Sequence, residues 1–158
     1  MKPRTGRRQR RRRHDRGAIA GIEALPFGFL LFVAGTLFIT NVWAVIDAKL
    51  AVGEAAREAS RTYVEADDAG VAEINARLAA YDALDGSGRG QRPLITIDEP
   101  VLDGAFARCT RVTITVHYRV PALTIPWLGG LGRGIDTVAT HSEIIDPYRN
   151  GLAAGACA

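Results

Sequence analysis

Between Glu23 and Asp47 the chain carries no charged residue, and the intervening run is ALPFGFLLFVAGTLFITNVWAVI, Ala24 to Ile46. As a helix it would cover about 34 Å, enough for a hydrocarbon core roughly 30 Å thick. This run dominates what the chain can be. It predicts a transmembrane helix, assigned here to residues 18–46. Trp43 falls near its outer end, where an aromatic anchor belongs. The competing reading is a secretory signal peptide. Its apolar region is usually about 7–15 residues, shorter than this one, and the small residues Val33-Ala34-Gly35 that a peptidase would want lie in mid-run.

Charge gives the run a direction. The first sixteen residues carry Lys2 and eight Arg against Asp15, a net charge of +8, and the rest of the chain is net −5. The basic isoelectric point therefore describes a tail and not a basic domain. Residues 1–17 read as an Arg-rich cytoplasmic leader, and the positive-inside rule places everything after Asp47 on the extracytoplasmic side. The same Arg run would also suit anionic lipid. Nucleic-acid binding is disfavoured, because no aromatic residues interleave with the arginines and no nucleic-acid fold follows.

Beyond the span the apolar period stays helical. Ala48, Val52, Ala55, Ala59 and Tyr63 recur at three- and four-residue spacings, so the helix continues outward to about Ala66. Glu54/Arg57, Glu58/Arg61 and Arg61/Glu65 are helix-spaced pairs that mark a solvated face. Asp67-Asp68-Ala69-Gly70 breaks the helix, with Asp68 as N-cap of a second one. In that helix Val71, Ile74, Leu78 and Tyr81 share a face, and it ends near Leu84. Residues 47–84 thus form a helical region, and 85–93 a flexible Gly-rich linker.

At residue 94 the period changes to two. LITID, 94–98, is a short strand. RVTITVHYRV, 111–120, alternates Val112, Ile114, Val116, Tyr118 and Val120 against Arg111, Thr113, Thr115, His117 and Arg119, the pattern of a half-buried antiparallel strand. The apolar, Gly/Pro-rich segment 121–134 connects it to a third strand at 135–144. Residues 94–149 are the sheet region and 150–158 a flexible tail. The fold class is therefore α+β: a long N-terminal transmembrane helix, a small helix and a three-stranded antiparallel sheet.

Little of this carries reaction chemistry. His14, His117 and His141 do not cluster, although the latter two could meet across paired strands near Cys109. No tight CxxC or HxxxH spacing supports a metal. GSGRG and GGLGRG do not sit between a strand and a helix as a phosphate loop would. No nucleophile elbow or triad order occurs. We expect no enzyme activity, no cofactor, no metal and no small-molecule substrate. Cys109 and Cys157 lie on the expected outer side, where disulfides persist. An intramolecular bridge, an intermolecular bridge and two thiols all stay open from sequence. Trp127, in the apolar loop 123–131, is a candidate docking residue.

The most informative polar residue is Glu23, at the cytoplasmic edge of the span. It either marks where the span begins or needs a cationic partner, because a carboxylate in hydrocarbon is costly. Here a resemblance enters. RGAIAGIEA, 16–24, followed by the apolar run, resembles the N-terminus of TadE-like pilus assembly proteins, minor pseudopilins of the tight-adherence branch of type IV pili. The resemblance continues through AKLAVGEAAREASRTY (48–63), RVTITVHYRV, the Pro/Gly-rich turn and THSEIIDPYR. It covers about residues 16–149.

The resemblance implies a pilin-like fold and a single-pass bacterial membrane protein that helps build an adhesive pilus. It implies other pilin subunits, a prepilin peptidase and membrane assembly proteins as partners. It makes Gly17 and Ala18 the processing-site candidates. Glu23 becomes the carboxylate that pairs with the new ammonium of a neighbouring subunit. The chain departs from the family pattern in one respect. Cleavage after Gly17 puts Glu23 sixth in the mature chain, where fifth is usual, and cleavage after Ala18 restores fifth place with Ala before the cut. The alternative expectation is an uncleaved membrane-anchored binding module that does not polymerise and docks through Trp127.

Overall fold

The computed structural model describes residues 15–122, 124–125, 129–130, 134–155 and 157. Trp127 and His14 lie outside them. The chain divides into two units, one ending at Val42 and one beginning at Trp43.

The element on which the first unit is built is helix α1, Asp15–Glu65. The helix starts well before Pro26, so Pro26 is an interior residue and not its first turn. Proline there removes one backbone donor, a loss that membrane helices tolerate better than soluble ones. From Leu25 to Phe32 the large apolar side chains are almost all exposed; Phe27 and Phe32 are at 70% and 71%. Thr36 and Thr40, the hydroxyls of the run, donate back to the carbonyls of Phe32 (2.9 Å) and Thr36 (2.8 Å). Both hydroxyls are thus satisfied within the helix, as an apolar solvent demands. The helix is long and apolar enough to cross a membrane.

The second unit has an interior. Its helical part comprises the rest of α1 and helix α2, Ala69–Gly86. Asp68 caps α2 as its sequence suggests: its carboxylate accepts from the backbone N–H groups of Gly70 and Val71, satisfying two of the helix's orphan donors. Among the described residues six strands follow: β1 (Ile95–Ile97), β2 (Val101–Leu102), β3 (Arg111–Val120), β4 (Thr124–Ile125), β5 (Gly129–Gly130) and β6 (Ile135–Ile144). Among the described residues β4 and β5 pair with each other alone, inside the segment expected to be a plain connection.

The main sheet has four strands where the sequence predicts three. β3 is its centre. β6 pairs with β3 over ten residues without a slip, from Arg111↔Ile144 to Val120↔Ile135. On the other side of β3 lie two fragments, β1 (Ile97↔Val116) and β2 (Val101↔Thr113). Between those two pairs the fragment side advances four residues and β3 only three. One extra residue is accommodated in Asp98–Pro100, and Pro100 has no N–H to give a ladder. The extra residue reverses the alternation. Ile95 and Ile97 are buried, and after the break it is Leu102, not Val101, that turns toward the core.

One cluster unites the interior. The face predicted for α1 is buried as predicted, with Ala48, Val52, Ala55, Ala59 and Tyr63 between 0% and 3% exposed, joined by Ala51, Ala56 and Ala66. Alternate residues of β3 supply Val112, Ile114, Val116, Tyr118 and Val120. Tyr63 meets Phe106 edge-on at 5.8 Å between ring centroids, a favoured aromatic geometry. α2 differs from expectation. Of the expected face, Val71, Ile74 and Leu78 are exposed, Ile74 at 62%, and Tyr81 is half-buried against the core, while Ala72, Ala76, Ala80 and Leu84 face inward. Small side chains let the helix approach closely, and close packing outweighs burial of larger ones here.

Candidate functional site

Gly17, Ala18 and Glu23 all fall on the backbone of α1. A peptidase acting at Gly17 or Ala18 would therefore act within two turns of the helix start at Asp15.

Cys109 and Cys157 form a disulfide with Cα atoms 5.1 Å apart, well within the range such a bond requires. The bridge completes a clamp. Cys109 N–H donates to Ile145 O (2.9 Å), Ile145 N–H to Thr110 O (3.0 Å) and Arg108 N–H to Ala153 O (3.1 Å). Gly155 lies so close that a Cβ there would meet the Arg108 carbonyl oxygen at 1.9 Å. Cys109 itself adopts φ 64°, a left-handed conformation that non-glycine residues seldom take. The described part of the tail is therefore fastened to the 107–110 turn, whereas the sequence reads it as free. Arg149, upstream, donates to the carbonyls of Val64 and Glu65 and pairs with Asp67 at 3.2 Å. It caps the end of α1, whose last carbonyls have no partner in the helix. The Gly-rich 85–93 segment is fastened too: Arg89 pairs with Asp47 and lies 6.0 Å from the Tyr118 ring centroid.

The outer face of the sheet is polar. Thr113 and Ser142 share a hydrogen bond at 2.9 Å, and Thr115 and Thr140 share another at 3.1 Å. His117 Nε2 meets Asp98 Oδ2 at 2.9 Å, and Arg119 donates to Asp136 at 2.8 Å. That last hydrogen bond is the main cause holding the Asp136 carboxyl below the usual carboxylate range. His117 pairs in register with Val138 and His141 with Ile114. Because buried residues are even-numbered in β3 and their partners odd-numbered in β6, the two histidines sit on opposite faces and do not meet. Among the described residues no group of three His, Cys, Asp or Glu could hold a metal ion.

Sequence reasoning missed Lys49, Arg89, Arg149 and Glu143. Glu143 pairs in register with Val112 on the inner face, and its Oε2 is buried with no partner among the described residues. Its charge acts on Arg61. Lys49 donates from Nζ to the Val138 carbonyl. Together they place α1 alongside β6, running in the same direction, with Lys49 near Val138 and Arg61 near Glu143. No local pattern announces such contacts, because each joins residues more than eighty positions apart.

Comparison with known proteins yields no match: no family model, no curated protein and no solved structure matches the chain.

Proposed function

We propose that this chain is a single-span structural protein of a bacterial cell membrane, a pseudopilin-like component that helps assemble an adhesive pilus of the tight-adherence type. The observation that carries the reading is α1 itself. One helix holds both a stretch of exposed large apolar residues and a stretch of buried alanines that belongs to a small α+β unit. That construction suits a subunit that is stored in a membrane and packs through its helix. In this reading the Arg-rich leader holds the N-terminus in the cytoplasm until a prepilin peptidase removes it at Gly17 or Ala18. The freed ammonium then pairs with Glu23 of a neighbouring subunit, and breaking such a pair in an apolar setting costs about 3–5 kcal/mol. That cost would favour correct register between subunits. The partners are other pilin subunits, the peptidase and the assembly proteins of the membrane.

Intact mass and N-terminal sequencing of the membrane-bound protein test the reading. A mature start at Ala18 or Ile19 supports it. A start at Met1 overturns the processing step. That outcome favours the second reading, an uncleaved anchored binding module, for which the outward-facing Val71, Ile74 and Leu78 of α2 are the supporting observation. A start beyond Gly35 would make the apolar run a signal peptide.

A further inference from the structure

The C-terminal tail is held in two ways that differ in strength. Arg149 is fixed by the fold. Its guanidinium donates to the carbonyls of Val64 and Glu65 and pairs with Asp67, and its backbone N–H donates to Asp146 O at 3.2 Å. Beyond it the chain turns at Gly151, φ 86°, and the fastenings thin out. Among the described residues of 150–157, one backbone hydrogen bond reaches the rest of the unit, from Arg108 N–H to Ala153 O. Leu152 is half-buried against the core, and Gly155 lies on the Arg108 carbonyl. One hydrogen bond and one half-buried side chain do not offset the backbone freedom of a segment this long. The Cys109–Cys157 bond is what keeps this strap in place.

The turn that receives the strap does not depend on it. Thr110 N–H donates to Ala107 O at 3.3 Å, and the Thr110 hydroxyl donates to Ala105 O at 2.8 Å. Cys109 N–H donates to Ile145 O, and Ile145 N–H to Thr110 O. These bonds close the sheet at this end without the sulfur atoms. The two sulfurs also differ in access: Cys157 is exposed and Cys109 half-buried. Exchange depends on which sulfur an attacking thiolate can reach.

We propose that Cys157 is a thiol–disulfide exchange site for a dithiol, and that reduction there releases the strap beyond Arg149 while the sheet stays closed. One thiolate of the dithiol attacks Cys157 Sγ. The Cys109–Cys157 bond breaks, and its electron pair leaves on Cys109 Sγ, which takes up a proton. The second thiolate then attacks the dithiol sulfur in the mixed disulfide. That frees Cys157 as a thiol and leaves the dithiol oxidised to its own disulfide. Two electrons and two protons pass from the dithiol to the cysteine pair. Leu152 then leaves the edge of the core, and Arg108 N–H loses its acceptor. The reverse reaction, with an oxidised partner, fastens the strap again. A protein carrying a reactive pair of cysteines has the chemistry this site takes. The side of the membrane on which it acts rests on the reading proposed above; the exchange itself does not.

The experiment uses the full chain in detergent micelles, with dithiothreitol as the probe and no denaturant. Reduction, read by alkylation and intact mass, should proceed within about tenfold of its rate in concentrated urea. Glutathione followed by an acid quench should trap the mixed disulfide on Cys157, located by peptide mapping. After reduction and alkylation the Arg108 amide should exchange with solvent at least about tenfold faster, while the amides of Cys109 and Ile145 keep their protection. Cys157→Ser should show the same pattern without reductant. Cys109→Gly, at a position whose φ suits glycine, should show it at Arg108 and Ile145, so the result does not hang on one variant folding. A larger gap between the two reduction rates would mean that the bridge opens only with unfolding, and would overturn the exchange site. A mixed disulfide on Cys109 would overturn the choice of sulfur. An Arg108 amide unchanged by reduction would show that the strap holds without the bridge. Loss of Ile145 protection along with that of Arg108 would show that the bridge holds the sheet as well. Either result overturns the release, and neither bears on leader processing.

Discussion

Helix α1 contains two regions with the same backbone and opposite side-chain logic. Before Val42 the helix carries Leu, Phe and Ile, and they are exposed. After Trp43 most of its buried positions are Ala, with Val52, Ser60 and Tyr63 among them. Bulky apolar residues suit a helix whose solvent is itself apolar, where side-chain size costs nothing. Alanine suits a helix that must lie close against a second helix and a sheet, where volume is fixed by neighbours. The region richer in hydrophobic surface is therefore the one without an interior. The difference teaches that hydrophobicity locates a helix's environment, and residue size locates its packing.

The largest expected effect on this contrast comes from the disulfide. Cys109 and Cys157 are 48 residues apart, and a loop of that size is worth up to about 4 kcal/mol in the chain-entropy account. The double variant Cys109→Ala/Cys157→Ala should lose about 2–4 kcal/mol in the second unit, read as a lower urea midpoint by near-ultraviolet circular dichroism. Membrane fractionation should not change. If both change together, the two regions are not separable.

Next in size is a charge in the first region. Leu31→Arg should cost about 2.5–3.5 kcal/mol of membrane insertion and shift protein from the membrane fraction to the soluble or aggregated one. The folded second unit, tested by its urea midpoint, should be unaffected.

A smaller effect separates the regions by volume alone. Ala55 is fully buried, so Ala55→Leu should destabilise the second unit by about 1–3 kcal/mol through overpacking. Ala34→Leu, the same change in the exposed stretch, should leave the midpoint where it was. Equal midpoints for the two variants would remove the distinction.

The smallest effect is electrostatic and confined to the outer sheet face. Arg119 holds the Asp136 carboxyl below its ordinary value. A lowered folded-state value contributes stability above the ordinary carboxylate range and loses it as pH falls through the lowered value. The pair is exposed, so the stability at stake is slight. Arg119→Met should move the Asp136 titration midpoint upward, as followed by carboxyl carbon NMR. An unmoved midpoint would show that the pair does not persist in solution.

Several elements were legible in the sequence for identifiable reasons. The apolar helix stretch shows itself in composition. The strand at 111–120 shows itself because a period of two admits no helical reading, and its alternating residues are buried as expected. The orientation of α2 was not legible. Periodicity groups Val71, Ile74 and Leu78 on one face, but only tertiary packing decides that Ala72, Ala76 and Ala80 turn inward. β2 is two residues long and too short for any period. The contacts of Lys49 and Arg149 were hidden for the same reason: they are defined by what lies beside these residues in space. Gly17, Ala18 and Glu23 rest on local sequence, and the surrounding fold adds only that they are helical. Trp127 lies outside the described residues.

The break at Asp98–Pro100 makes the chain sensitive to a kind of change other than substitution. Its spare residue acts as a phase shift: before it odd-numbered residues on that edge turn inward, and after it even-numbered ones do. Deleting Glu99 would remove an exposed loop residue and no packing contact of note. It would leave Leu102 opposite Val112 in the register that Ile97↔Val116 sets, whereas inserting one residue there would exchange Leu102 and Val101 between inside and outside. In this edge, length carries information that residue identity does not.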